Sequence, residues 1–272
     1  MNAMIRIMRL YRKIIKKFYT LIFNSPKKKI STPLVLDNVE YNKKIWDKYS
    51  KDYNKWEVHI EANPECDESE REKLIEYLGD EWGTKNSVTE IMEDYVYPYI
   101  DEHSIVAEIG VGGGRIASIV APRTKELYCF DVSNEMLKRA KNALKNLSNV
   151  HYILIEQPKF KSELAEKFDF VYSFDVFVHL DLHTMWNYFN EIGAVLKKGG
   201  KAFIHTSNLM TPEGWKRFSK QKKYSVEGHY FISPEIVDIL ANRSNLKIIK
   251  KSTPDPKNYY LNRDYLVVLK KP

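Results

Sequence analysis

Apolar positions recur along this chain with two periods. Short apolar runs bounded by glycine or polar residues predict strands at 106–109, 127–130, 150–155, 168–174, 201–205, 246–250 and 264–269. Between them the period lengthens to that of a helix, over 87–100, 133–144, 182–196 and 233–240. In 133–144, Ser133 is placed to cap the first turn, and Met136, Leu137, Ala140 and Leu144 share one face. Lys197-Lys-Gly-Gly200 puts cations and glycine at a helix C-terminus, and Pro234 stands in the first turn of 233–240. Strands alternating with helices predict an α/β sheet covered on both faces.

The first 84 residues follow other patterns. Residues 41–56 predict a helix with Ile45, Trp46, Tyr49, Tyr53 and Trp56 along one stripe. In residues 1–30, Met4, Ile5, Met8, Tyr11, Ile15, Phe18, Tyr19 and Ile22 recur at three- and four-residue steps opposite basic positions. That segment holds nine of the 43 cations and no acid, so the remaining 34 face 36 acids and the net +7 comes from it alone. The body is therefore not a general polyanion binder. A basic amphipathic helix suits an anionic membrane surface. Charges interrupt every apolar run well short of a span, and the segment lacks the apolar centre of a secretory signal. Packing on the body, RNA binding and mitochondrial targeting stay open for it, with nucleic acid disfavoured by the apolar face. Three parts follow: a basic helix at 1–30, a linker and helical cap at 31–84, and an α/β domain at 85–272. Two cysteines, Cys66 and Cys129, argue against a disulfide framework, and Cys129 inside a strand reads as a buried thiol. No metal-ligand spacing appears, and the cytoplasm is the expected compartment, with membrane association through 1–30.

The chemistry concentrates at Val106-Ala-Glu-Ile-Gly-Val-Gly-Gly-Gly-Arg115, where a strand runs into a glycine turn. Glycines at 110, 112 and 114 let the backbone approach a ligand closely. The dinucleotide fingerprint fails at its third glycine, which falls on Arg115. Glu108, two residues before the first glycine, would repel a pyrophosphate and suits a cationic amino group or hydroxyls. Asp131, ending the next strand, can accept both hydrogen bonds of a ribose diol.

With E-x-G-x-G-G-G at 108–114, an acid at 131 and Leu196-Lys-Lys-Gly-Gly200 before a strand, the chain resembles the class I S-adenosylmethionine-dependent methyltransferases over about two thirds of its length. The resemblance implies a doubly wound, seven-stranded, mostly parallel sheet with an antiparallel last strand, plus an N-terminal helical extension. It implies S-adenosyl-L-methionine as cofactor, held by Glu108, Gly110, Gly112, Gly114, Arg115, Asp131, Val132, Met136, Glu156, Gln157, Ser173, Phe174 and Asp175. It also places a W-x-x-Y-x-x-x-Y helix over the mouth of the site, so Trp46 and Tyr53 are expected at the substrate pocket, with Trp82, His229 and Tyr230.

Methyl transfer from a sulfonium needs the acceptor held in line, and a base only where the acceptor loses a proton. His179 and His205 follow strands four and five, at the strand ends where open α/β sheets bind ligands, and are the candidate bases. The other reading of each is a hydrogen-bonded structural histidine. Strand four ends Ser173-Phe-Asp175 and lacks the N/D-P-P-Y/F of DNA and protein amide methylases. The expected function is therefore methyl transfer to a small-molecule, glycan or lipid-linked acceptor. An RNA methyltransferase using the basic N-terminus and a non-catalytic scaffold are the alternatives.

Overall fold

The computed structural model describes residues 37–53, 78–79, 83–223 and 228–272. The basic segment 1–30, Trp56, Cys66 and Trp82 lie outside the described residues. The described residues belong to one compact unit.

Seven strands build one sheet: β1 (Ile105–Ile109), β2 (Glu126–Asp131), β3 (Val150–Leu154), β4 (Phe168–Ser173), β5 (Leu196–Ser207), β6 (Lys247–Lys251) and β7 (Asp264–Lys270). Their order is β3-β2-β1-β4-β5-β7-β6. The pairs among β1 to β5 are parallel, and β7 runs antiparallel to both β5 and β6. The expected sheet and its inserted last strand are both present. β1, β4 and β7 are buried along nearly their whole length, as strands covered on both faces must be. β6 alternates exposed and half-buried positions at the sheet edge.

Around the sheet lie α1 (Asn38–Asp52), α2 (Lys85–Tyr95), α3 (Ala117–Val120), α4 (Asn134–Ala143), α5 (Leu182–Val195), α6 (Pro212–Lys220) and α7 (Pro234–Arg243). α5 and α7 close one face around Phe168, Phe189 and Ile204, while α2, α3 and α4 close the other around Phe170, Phe203 and Leu266. Each fully buried phenylalanine contributes about 1.5–3 kcal/mol relative to an exposed one. Cys129 is buried as a free thiol, as expected.

Four boundaries differ from the sequence expectation. The helix expected over 87–100 stops at Tyr95, because Pro98 cannot continue it and the chain forms a 3-10 turn at Tyr97–Tyr99. Lys197-Lys-Gly-Gly200 belongs to β5 rather than to a helix end, and Lys197 Nζ pairs with Asp169 Oδ1 of β4 at 2.7 Å. The helix expected over 41–56 begins at Asn38, where Asp37 accepts the Glu40 N–H at 2.7 Å, and ends at Asp52. α6 was not anticipated at all. Thr211 caps it, and Gly214 in its first turn packs so tightly that a Cβ there would lie 1.8 Å from the Asn208 carbonyl oxygen.

The chain runs outward through β1, β2 and β3, then crosses to the other side of β1 to lay down β4 and β5. This reversal opens a crevice beyond the carboxyl ends of β1 and β4, the place where such sheets bind ligands. α1 is fastened beside that crevice. Arg139 of α4 donates from Nε to the Ser50 carbonyl at 2.8 Å and to Ser50 Oγ at 2.9 Å, satisfying a last-turn carbonyl of α1. In return, Asp47 of α1 accepts from Ser133 Oγ at 2.6 Å and from the Glu135 N–H at 3.3 Å, at the N-terminus of α4 where an anion is favoured.

Candidate functional site

The turn leaving β1 forms the floor of an inner cleft of about 880 Å³, counting the space at its open mouth. Gly110 has φ +78°, and a Cβ there would come within 2.3 Å of Val176 Cγ2. Gly112 has φ +53°, and its Cβ position lies more than 4 Å from any neighbouring atom, in the open space of the cleft. Only glycine adopts these conformations without strain and leaves the space for a ligand. The Gly112 N–H also donates to Asp131 Oδ2 at 2.9 Å, while the Ser133 N–H donates to Oδ1 at 2.8 Å. Two backbone amides thus aim the carboxylate, and each oxygen keeps a lone pair for one hydroxyl of a diol. Burial pushes the Asp131 pKa up to about 6, against the opposing pull of these amides.

Glu108 is almost fully buried and accepts the Tyr172 hydroxyl at 2.9 Å. Burial holds its carboxyl well above the usual range, a penalty only partly offset by that hydrogen bond. Val132, Ile155, Leu180 and Tyr188 form an apolar wall; Glu108, Arg115 and Asp175 give the other end its polar groups. These features fit S-adenosylmethionine. Asp131 would take the ribose diol, the apolar wall the adenine, and the Glu108–Arg115–Asp175 end the amino acid moiety. The open space above Gly112 carries the test, since a side chain would fill it.

Nine of the thirteen residues expected at the cofactor line this cleft: Glu108, Gly110, Gly112, Arg115, Asp131, Val132, Met136, Phe174 and Asp175. The other four are placed elsewhere. Gly114 faces α4, where a Cβ would lie 3.3 Å from Leu144, so its smallness serves helix packing. Ser173 is buried and donates to the Ile109 carbonyl at 2.9 Å, tying β4 to β1. Glu156 and Gln157 are exposed and off the lining, because the side chain turned inward after β3 is Ile155. Leu78 and Gly79, ahead of α2, also line the cleft. Val39 and Asn42 of α1 and Tyr188 of α5 went unnoticed, since on sequence they belong to helix stripes that read equally as core.

Asp175 anchors the polar end. Its φ of +58° is left-handed, a conformation that aspartate tolerates at a cost. Arg115 Nη2 donates to its Oδ2 at 2.7 Å and the Tyr260 hydroxyl to the same oxygen at 3.1 Å. The Asp175 N–H donates to His205 Nδ1 at 3.0 Å, and His205 Nε2 stands 3.0 Å from Asp264 Oδ2. Burial alone would raise the Asp264 pKa, but the His205 hydrogen bond and the Arg263 charge outweigh it and hold it down to about 2. His205 is fully buried, its Nδ1 taken by the Asp175 amide and its Nε2 shut away from the cavities beside Asp264. A base needs a nitrogen open to the acceptor. The expectation of His205 as a base is therefore corrected: it positions the Asp175 backbone.

His179 stands differently. Its Nδ1 lies 2.9 Å from the Gly228 carbonyl oxygen and must carry the proton to bond it, which leaves Nε2 as the acceptor. Burial lowers its pKa, so the ring is neutral and able to take a proton. The Asn38 side-chain amide donates to the His179 carbonyl at 3.3 Å, and Trp46 packs edge-on at 5.2 Å between centroids.

Trp46, Asp175 and His179 form a wall shared with an outer cavity of about 1310 Å³ that opens to solvent. Of the residues expected at the substrate pocket, Trp46 and His229 line this outer cavity. Tyr53 packs instead with Leu78 and Met136, and Tyr230 is drawn to the sheet end, where its N–H donates to the Val178 carbonyl at 2.7 Å. Trp82 lies outside the described residues. Tyr49, Arg217, Tyr259 and Arg263 complete the cavity, brought together from α1, α6 and the segment before β7. No sequence spacing links those segments.

The model of the methyltransferase domain family matches residues 107–204. No curated protein matches the chain. Among solved structures, it is similar to magnesium protoporphyrin IX methyltransferase from Synechocystis with bound SAH, at 12% identity and TM-score 0.61, over 87% of this chain and 100% of that one. A protein from Pyrococcus horikoshii is similar at 20% identity and TM-score 0.57, over 76% and 100%. The N-methyltransferase NodS from Bradyrhizobium japonicum is similar at 16% and 0.53, over 70% and 98%. At these identities the likeness establishes a shared fold.

Proposed function

We propose that this chain, a class I S-adenosylmethionine-dependent methyltransferase, methylates a small-molecule, glycan or lipid-linked acceptor held in the outer cavity, with His179 as the base. One observation carries this reading: the His179 ring stands in the wall between the two cavities, with Nδ1 anchored on Gly228 and Nε2 left to the acceptor. When bound, S-adenosylmethionine supplies an electrophilic methyl group on a sulfonium sulfur. The residues of the chain do the rest. Asp131 and the glycine turn fix the cofactor end, Trp46 and His179 border the acceptor, and Nε2 takes the proton that a hydroxyl or protonated amine releases. α1 covers the mouth and limits water, tied down through Ser50, Asp47 and Asn38.

The small-molecule acceptors of the structural neighbours agree with this reading. They include magnesium protoporphyrin IX and, in a further structure of similar fold, geranyl diphosphate. For residues 1–30 the proposed partner is an anionic membrane surface, on the strength of their sequence alone. No helix among the described residues is long and apolar enough to cross a membrane.

The test is methyl transfer from labelled cofactor into lipid, polysaccharide, RNA and small-molecule fractions. Label in RNA alone would overturn the small-acceptor reading. Deleting residues 1–30 should abolish liposome binding and leave RNA binding unchanged; the reverse result would move the segment to RNA.

A further inference from the structure

Among the described residues, the outer cavity carries one cation with no counter-ion. Its other charged groups are matched: Lys48 pairs with Asp52 at 2.5 Å, and Asp175 pairs with Arg115 at 2.7 Å. Arg263 donates from Nε to Asp264 at 2.8 Å and from Nη1 to the Tyr259 hydroxyl at 2.8 Å. Arg217 of α6 also lines the cavity, half-buried, and its guanidinium makes no hydrogen bond or ion pair among the described residues. Beside it in the lining, His229 is more than nine-tenths buried, and its Nε2 is without a partner. A buried polar nitrogen without a partner is destabilising, because it has given up its hydrogen bond to water and gained none. A half-buried guanidinium adds to that cost, because it has lost part of its water and gained no counter-ion.

Both groups are on the wall of the outer cavity and neither lines the inner cleft, while His179 lines both. A molecule filling the outer cavity therefore borders both His179 and Arg217. We propose that the acceptor carries a carboxylate or phosphate, held by Arg217 with His229 Nε2 at its side, at the end remote from the methylated atom. A planar guanidinium is suited to either anion, since it offers two parallel N–H donors. The neutral His229 adds no charge: burial first, then the nearby Arg217 charge, lowers its pKa to about 2. The assignment rests on the methyltransferase reading only for what happens at His179; the anion site itself is independent of it.

The probes are phenyl phosphate, benzoate and neutral benzyl alcohol, titrated calorimetrically into the full chain with and without S-adenosylhomocysteine. Phenyl phosphate and benzoate should bind, and benzyl alcohol should bind at least tenfold more weakly. Arg217→Ala should weaken the two anions by about tenfold or more. Arg217→Lys should recover part of the loss. The S-adenosylhomocysteine affinity of both variants should match that of the parent, which shows that they are folded. Dioctanoyl phosphatidic acid separates the sources. Tighter binding than phenyl phosphate, with the same dependence on Arg217, assigns a lipid headgroup, and weaker binding assigns a free acceptor. Equal phenyl phosphate affinity in parent and Arg217→Ala, or benzyl alcohol binding as tightly as phenyl phosphate, overturns the proposal. Failure to bind S-adenosylhomocysteine would count against the methyltransferase reading and leave the anion titration standing.

Discussion

The inner cleft and the outer cavity share a wall but are built on different principles. The cleft is largely a product of the backbone: a glycine turn, two amides that aim Asp131, and the carboxyl ends of adjacent parallel strands. The cavity is a product of side chains from α1, α6 and the loops before β7, including Trp46, His179, Arg217 and Arg263. Backbone geometry is shared by any sequence that adopts the fold, whereas side chains can change without moving the sheet. The proposed function uses the first region for the cofactor and the second for the choice of acceptor.

The sharpest way to break that division is at the shared wall. His179→Asn keeps a donor for the Gly228 carbonyl and removes the base. Methyl transfer to a hydroxyl acceptor should fall about 10²–10⁴-fold, with S-adenosylhomocysteine affinity within about twofold of the parent. A transfer rate unaffected by the change would remove His179 from the chemistry. In the parent, the rate should rise with pH through a value below the ordinary imidazole pKa, because burial depresses that of His179 and the neutral ring is the active form.

Within the cleft, Asp131→Ala removes both acceptors for the ribose. Cofactor affinity should fall about 30- to 150-fold, corresponding to about 2–3 kcal/mol for hydrogen bonds to a charged group. Isothermal titration gives the answer directly, and unchanged binding would contradict the ribose assignment. The pH dependence of that affinity is a gentler probe. The Asp131 pKa stands at about 6, and the ionised form is the better acceptor of two hydroxyls. Affinity should therefore be level above pH 6 and fall by up to about tenfold per pH unit below it. Asp131→Asn should flatten the curve.

The smallest effect is expected at the seat of α1. Arg139→Met keeps much of the side-chain volume and removes the hydrogen bonds to Ser50. Chemical denaturation should show a loss of about 1–3 kcal/mol, with cofactor affinity reduced a few-fold as the lid loosens. An effect on stability as large as that of a core truncation would mean that α1 is part of the fold rather than a cover on it.

Legibility in the sequence divides along the same line. The strands, their alternation with helices and the closing strand pair were readable because an apolar run needs no knowledge of distant residues. So were Glu108, Gly110, Gly112 and Asp131, whose spacing is set by one strand, one turn and the next strand. Glu156 and Gln157 were misplaced by one and two positions, since the sequence does not show which residue after β3 turns inward. His205 and His179 look alike on paper, each at the end of a strand. They part only in space, where Asp264 and the Asp175 amide enclose one and Gly228 orients the other. Arg217 gave no signal, because α6 itself went unread and the absence of a counter-ion is a property of the surroundings.

By itself, the sequence determined the sheet, the glycine turn after β1 and the acid that ends β2, because each depends on residues close together in the chain or on a local backbone conformation. The tertiary structure decided which histidine is fully enclosed, where the outer cavity lies and which of its cations stands without a counter-ion among the described residues. Those properties arise when segments more than a hundred residues apart share one wall, and burial and pairing have no value until they do.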